Sequence, residues 1–209
     1  EMLKDLSWIK FSIDAGNEKT YSKVHGCKEQ DFEKVLENLK IACQYKKENG
    51  LETKIGAQML LLPENIYEVL ELVEEMKDFD LDYLVLKPYS QHPNSENQKK
   101  WNISEYDLRL KAISKKYSTG KFPLVYRSHS AKEVSADKLD YEKCHGINFF
   151  ALMDALGNVI PCNLFYGKKE YYYGNIYDNK FSDIWKSEKR KEILTKIEKE
   201  GTSNCRVGC

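Results

Sequence analysis

From residue 8 to about residue 125 the chain alternates strand-like and helix-like segments, and this alternation restricts its fold more than any other feature. Residues 8–14, Trp-Ile-Lys-Phe-Ser-Ile-Asp, set bulky apolar side chains against small or polar ones, as a strand does. Residues 30–48 carry Phe32, Val35, Leu36, Leu39 and Cys43 at three-to-four spacing, which makes one helical face, and Gly50 follows its end. Residues 53–62 form a second apolar strand stopped by Pro63, and a helix then opens with Ile66, Val69, Leu70, Val73 and Met76 on one face. Residues 81–86 are a third strand, and residues 91–100 a polar loop. A helix from a Ser104 cap to about Lys116 and a short strand over 122–127 complete the series. The order β-α-β-α-β-α-β predicts parallel strands, buried on both faces and joined by right-handed crossovers. Such strands belong to an α/β fold, either part of a (β/α) barrel or an open doubly wound sheet. In both, ligands bind at the carboxyl ends of the strands. Those ends are polar here, with Ser12 and Asp14 after the first strand, Lys87, Gln91 and His92 after the third, and Arg127 closing the last.

The pattern changes after Ser128. Residues 128–141 read as a polar loop and mark a boundary, so the predicted domains are 1–130 and 131–209. In the second, residues 149–154 and 159–161 look like hairpin arms around Leu156-Gly157-Asn158, where the Gly-Asn pair supplies positive backbone angles. The Tyr171-Tyr172-Tyr173 run reads as packing within this small domain. Residues 181–198 read as one amphipathic helix with Ile184, Trp185, Ile193 and Ile197 inward.

Four of the six cysteines fall in that second part, at Cys144, Cys162, Cys205 and Cys209. Four thiolates are a complete ligand set for one soft metal centre, and ligand type alone leaves zinc and an iron–sulfur cluster both open. The long separation of Cys144 from Cys162 exceeds the usual C-x₂₋₄-C of a zinc knuckle, whereas iron–sulfur ligation tolerates varied spacing. Gly208 permits a tight backbone between the last pair. Cys43, on an apolar helical face, and Cys27, in a polar loop, are assigned no metal. The balance of 33 basic and 33 acidic residues gives no net field for nucleic acid or an anionic membrane. No apolar run is long enough to span a bilayer. A Lys/Glu-rich chain with clustered cysteines and no export signal points to a reducing, cytoplasmic setting rather than to disulfides.

Three blocks of residues carry a family resemblance. The first is Ser12-Ile13-Asp14-Ala15-Gly16 with the stretch from Thr20 to Gly26. The second is the pair of strands at 55–61 and 83–88. The third and most specific is C-x₁₂-G-x₄-C from Cys144 to Cys162, followed by Gly174-Asn175-Ile176, Ile184-Trp185, Cys205 and Cys209. Together they resemble the C-terminal part of radical SAM enzymes that carry a SPASM or twitch extension. The resemblance implies a partial TIM-type (β/α) barrel followed by a small α+β domain, a hairpin plus a helix, holding an auxiliary [4Fe–4S] cluster on Cys144, Cys162, Cys205 and Cys209. The family's C-x₃-C-x₂-C loop, which holds the cluster that cleaves S-adenosylmethionine, has no counterpart in these residues. The chain is therefore expected to be a fragment, inactive alone, of a longer enzyme.

In that whole enzyme, the resemblance implies reductive cleavage of S-adenosylmethionine at a second [4Fe–4S] cluster, and hydrogen abstraction by the resulting 5′-deoxyadenosyl radical. The auxiliary cluster would take up an electron in a net substrate oxidation or modification. Ser12, Asp14 and His25 are the residues expected near S-adenosylmethionine, with His25 where relatives often place an Arg. Lys87, Gln91, His92 and Arg127 are the substrate-side candidates, and no residue is assigned as catalytic. The implied substrates are a peptide, a sugar or an aminocyclitol, and the implied electron donor is of flavodoxin or ferredoxin type. The alternative is a non-catalytic binding domain that uses its four cysteines only to fold around zinc or an iron–sulfur centre.

Overall fold

The computed structural model describes residues 2–96, 101–136, 139 and 141–207. The described residues of 1–89 and 101–136 pack as one unit, and those of 90–100 and 137–209 as another.

The first unit begins with β1 (Trp8–Ser12), α1 (Glu18–His25), α2 (Asp31–Glu48) and β2 (Lys54–Leu61). It continues through α3 (Val69–Met76), β3 (Tyr83–Pro88), α4 (Asp107–Tyr117), β4 (Leu124–Tyr126) and α5 (Ser128–Ala136). The four strands are parallel and lie in the order β1-β2-β3-β4, so each new strand adds to the same edge. A doubly wound sheet reverses direction at a switch point, and this one does not. With right-handed crossovers, such one-way winding stacks the helices on a single face. Leu36, Leu39, Leu72, Val73, Leu110 and Ile113 from the helices indeed share one apolar core with Ile55, Ala57, Met59, Leu84, Leu86 and Leu124 from the strands.

Burial of the strands on both faces holds only for the central pair. On the far face of β2 and β3 the Tyr83 ring lies across Gly56, where an added Cβ would come within 2.1 Å of the ring. Gln58 and Val85 are also buried there. At the edge strands that face is open, with Trp8 62% and Val125 45% exposed.

Several local readings change. The stretch from Thr20 to Gly26, which the resemblance implies is the loop after a barrel strand, falls mostly in α1, capped by the Asn17 side chain accepting from the Thr20 amide and ended by Gly26 at φ +64°. Asn102, not Ser104, caps the turn that leads into α4. In α3 the buried face includes Leu72, and Leu70 is exposed. Residues 128–141 are not all loop: Ala131 packs into the core, and its amide donates to the Arg127 carbonyl as α5 begins.

In the second unit, β5 (Leu152–Met153), β6 (Asn158–Ile160) and β7 (Gly174–Asn175) form an antiparallel sheet in that order. The β5–β6 turn is held by the Asp154 carboxylate, which accepts from the Leu156 and Asn158 amides. Within this turn Gly157 alone takes a positive φ, at +79°, so the expected positive angle at Asn158 is not found. The single predicted helix is two, α6 (Phe181–Lys186) and α7 (Glu188–Glu200), broken at Ser187. The Ser187 hydroxyl caps α7 by accepting from the Arg190 amide. Tyr171 and Tyr173 do pack inside this unit, with Ile147, Val159, Ile184, Ile193 and Ile197. Among the described residues no helix is long and apolar enough to cross a membrane.

Asp82 ties three elements of the first unit together. Its carboxylate accepts from the Ile55 amide at 2.7 Å, from Lys46 on α2 at 2.5 Å and from Lys54 at 3.2 Å. Burial pushes its pKa up, but the Lys46, Ile55 and Lys54 donors together outweigh this and hold it below the ordinary 3.8. A carboxylate with a depressed folded pKa contributes stability above its unfolded value, and that contribution is lost as pH falls through the folded one. We expect Asp82→Asn to cost about 1–3 kcal/mol at neutral pH. The gap between variant and wild type should close on acidification below pH 3.8. Urea denaturation across pH checks this, and a gap independent of pH would contradict it.

Candidate cofactor and metal sites

The loop leaving β1 is fixed by backbone contacts. Asp14 is buried and held at φ +52°. Its carboxylate accepts from the Leu60 amide at 2.5 Å. Burial raises its pKa, against the Leu60 amide and the nearby His25 and Lys10. His25 Nε2 pairs with the Ile13 carbonyl at 2.9 Å, and its ring packs against Tyr21 with centres 4.3 Å apart and planes tilted by 35°. Glu68 accepts from the Gly16 amide at 2.9 Å and from the Thr20 hydroxyl at 2.5 Å. Gly16 is required by close approach, since an added Cβ would lie 2.5 Å from the Glu68 carbonyl oxygen. Ser12 is exposed at the carboxyl end of β1 and opposite Gln58, whose side chain accepts from Lys10 at 3.0 Å. The structure thus gathers Ser12, Asp14 and His25 at one strand end, with polar atoms of Asp14 and His25 engaged by backbone.

The sequence reading missed Asn65, the residue that closes this loop. It is 0% exposed. Its amide donates to the Asp14 and Leu60 carbonyls, both at 2.8 Å, while its side-chain oxygen accepts from the Leu62 amide at 2.8 Å. The one signal was its place just after a strand-ending Pro63, where an Asn serves a turn.

The substrate-side candidates are divided. Lys87 lies on β3 beside Leu60, and Arg127 is exposed after β4; both are in the first unit. Gln91 and His92 fall in the second, where Gln91 Nε2 donates to the His92 carbonyl and His92 Nδ1 accepts from the Asn94 amide.

Within the second unit, Cys144, Cys162 and Cys205 line one cavity of about 440 Å³, together with His145. Cys144 precedes a short 3₁₀ turn over Gly146–Asn148. Cys162 leaves β6 in extended backbone and begins another turn, Asn163–Phe165. Cys205 sits in a turn closed by its amide donating to the Thr202 carbonyl at 2.8 Å. That turn is anchored by the Thr202 hydroxyl donating to the Tyr141 carbonyl at 2.6 Å. It is anchored again by Ser90, which accepts from Arg206 Nε at 2.9 Å and donates to the Val207 carbonyl. Gly208 and Cys209 lie outside the described residues. Among those described, no three His, Cys, Asp or Glu side chains close around a single ion. Cys43 is buried in α2, and burial pushes its thiol up to about 11, so it is a core residue. Cys27 packs against the same core.

In the small core that Cys144 packs against, Tyr173 is 2% exposed, and its hydroxyl, with the Arg190 guanidinium as its neighbour, meets no acceptor for its own proton among the described residues. Burial pushes its pKa up to about 12, with the nearby Arg190 charge opposing and Cys162 and Cys144 adding to the rise. The Arg190 Nε is likewise buried and meets no acceptor among the described residues. Three soft sulfur donors lining one cavity, with buried donors nearby still wanting an acceptor, fit a sulfide-rich metal centre.

Asn65→Ala should destabilise the first unit by about 3 kcal/mol, the sum of three lost hydrogen bonds and the backbone groups left unpaired. Urea denaturation measures this, and a loss under about 1 kcal/mol would show that the loop does not depend on the carboxamide.

Residues 144–209 match the family model of SPASM, an iron–sulfur cluster-binding domain. No characterised protein matches by sequence. Among solved structures, Streptococcus suis SuiB aligns with a TM-score of 0.60 at 14% identity, covering 90% of this chain and 45% of that one. SuiB bound to the precursor peptide SuiA aligns with a TM-score of 0.58 at 14% identity, covering 90% and 44%. Native anSMEcpe with bound AdoMet and the Kp18Cys peptide aligns with a TM-score of 0.51 at 17% identity, covering 92% and 55%. The chain thus spans about half the length of these structures, and at such identity the likeness is one of fold. It resembles radical SAM enzymes with a C-terminal SPASM domain, sharing the fold of SuiB and anSMEcpe and carrying the SPASM pattern over residues 144–209.

Proposed function

We propose that this chain is part of a radical SAM enzyme that modifies a peptide, and that its second unit holds an auxiliary [4Fe–4S] cluster. The observation that carries this reading is the convergence of Cys144, Cys162 and Cys205 on one cavity, inside the segment that matches an iron–sulfur domain. Cys209 would supply the fourth thiolate. Tetrahedral zinc, with Zn–S bonds of about 2.3 Å, draws its sulfurs into a tight clasp, whereas a multi-iron cluster gives each sulfur its own iron. Three cysteines that line one cavity of about 440 Å³ without closing around a single ion suit the second better.

When bound, the cluster supplies one-electron redox chemistry. The cysteines hold it as thiolates, and the anchored Cys205 turn limits how far that ligand moves. In the first unit, the one-way parallel sheet is read as part of a (β/α) barrel. Ser12 at its carboxyl edge would meet S-adenosylmethionine, while Asp14 and His25 keep the β1 loop in shape. Lys87 and Arg127, and Gln91 and His92 in the second unit, are proposed substrate contacts. Peptide is the favoured substrate class, because SuiB and anSMEcpe were each solved with a peptide. A low-potential one-electron donor of flavodoxin or ferredoxin type would serve the whole enzyme.

Anaerobic reconstitution with iron and sulfide tests the cluster. We expect a brown protein with about four iron per auxiliary site, loss of that iron in Cys162→Ala and in Cys205→Ala, and full retention in Cys43→Ala. A colourless protein holding one zinc would favour a metal-stabilised binding domain instead. Iron loss in Cys43→Ala equal to that in Cys162→Ala would overturn the ligand assignment.

A further inference from the structure

We propose that Tyr173, supported by Arg190, donates a hydrogen bond to a sulfur of the centre held by Cys144 and Cys162, and thereby raises its reduction potential. This rests on reading residues 144–209 as a cluster site. A buried phenol whose proton meets no acceptor carries a net cost that a phenylalanine at the same place would avoid. The geometry indicates where its acceptor must lie. The Tyr173 amide donates to the Val159 carbonyl at 2.8 Å, beside the strand that runs directly into Cys162. Cys144 packs against the same small core that contains Tyr173.

Arg190, on α7, ties the turn that follows Cys144 to α6. Its Nη2 donates to the Asn148 carbonyl at 3.2 Å, in the turn that follows Cys144, and its Nη1 donates to the Trp185 carbonyl at 3.4 Å. The guanidinium lies 3.7 Å from the Trp185 ring centre and 5.6 Å from that of Tyr173. A cation so stacked and bonded is held in place, yet its Nε is buried and meets no acceptor among the described residues. Two unanswered donors therefore sit in one small core, beside thiols that would be thiolates once metal is bound. Hydrogen bonds and positive charge near cluster sulfurs favour the reduced, more negative state, so both residues push the potential upward. Tyr173 and Arg190 are positioning residues, since they act through the ligands.

The test is a redox titration of the reconstituted chain. Tyr173→Phe should keep its iron and sulfide content and its thermal midpoint, and titrate at a more negative potential than wild type. It should also lose an exchangeable-proton coupling seen in the magnetic resonance spectrum of the reduced wild-type centre. Tyr172→Phe should titrate as wild type. Arg190→Gln should shift the potential in the same direction as Tyr173→Phe, which keeps the inference testable if the tyrosine variant does not fold. A wild-type chain that takes up no iron would overturn the cluster reading itself. A Tyr173→Phe chain that loads fully and titrates at the wild-type potential would overturn only the hydrogen bond, as would loss of iron at unchanged thermal stability.

Discussion

A single carboxamide closes the carboxyl end of the parallel sheet. Asn65 uses its donors and its acceptor on backbone atoms of the segments leaving β1 and β2. Without it, the Asp14 and Leu60 carbonyls would be left unpaired at the carboxyl edge of the sheet. Asp14 repeats the logic from the other side, entering a left-handed backbone conformation so that its carboxylate can reach the Leu60 amide. Residues that a motif reader would assign to a ligand thus first serve to hold two strand ends at one height. At the opposite end of the sheet, Asp82 does the same for β2, β3 and α2 with charge instead of neutral hydrogen bonds.

The long elements were legible because their apolar periodicity is strong. The spacing of Phe32, Leu36, Leu39 and Cys43 gives α2, and the apolar runs at 53–62 and 81–86 give β2 and β3. What periodicity cannot supply is winding direction. Burial on both faces was inferred from the parallel order, yet the exposure of Trp8 and Val125 shows that sequential winding leaves one face bare at the edges. Short helices were also lost, because α1 and α5 are too short and too polar to show a face. Only the Asn17 cap of α1, and the core contact of Ala131 in α5, mark them. Ser187 broke a helix that read as continuous, since a serine mid-pattern is indistinguishable from a surface position until its hydroxyl caps a new turn.

In the cysteine site the ligand types were readable and the supporting residues were not. Spacing singled out Cys144, Cys162, Cys205 and Cys209, and the structure brings the three that are described to one cavity. Tyr173 and Arg190 have no spacing rule. A tyrosine in a tyrosine run and an arginine on a lysine-rich helix gain meaning only when their buried polar atoms are found without partners. Ser90, which fastens the Cys205 turn, is over a hundred residues away in sequence and equally silent.

The four-stranded sheet with its bare edge face also bears on how the chain behaves in a concentrated solution. Among the described residues β1 pairs on one side only, with β2, and Trp8 stands at its start. An unpaired parallel strand flanked by an open aromatic is a template for adding another strand from any neighbour. For these residues taken alone, that border is therefore a place where a further strand can add, independently of how firmly the interior is packed.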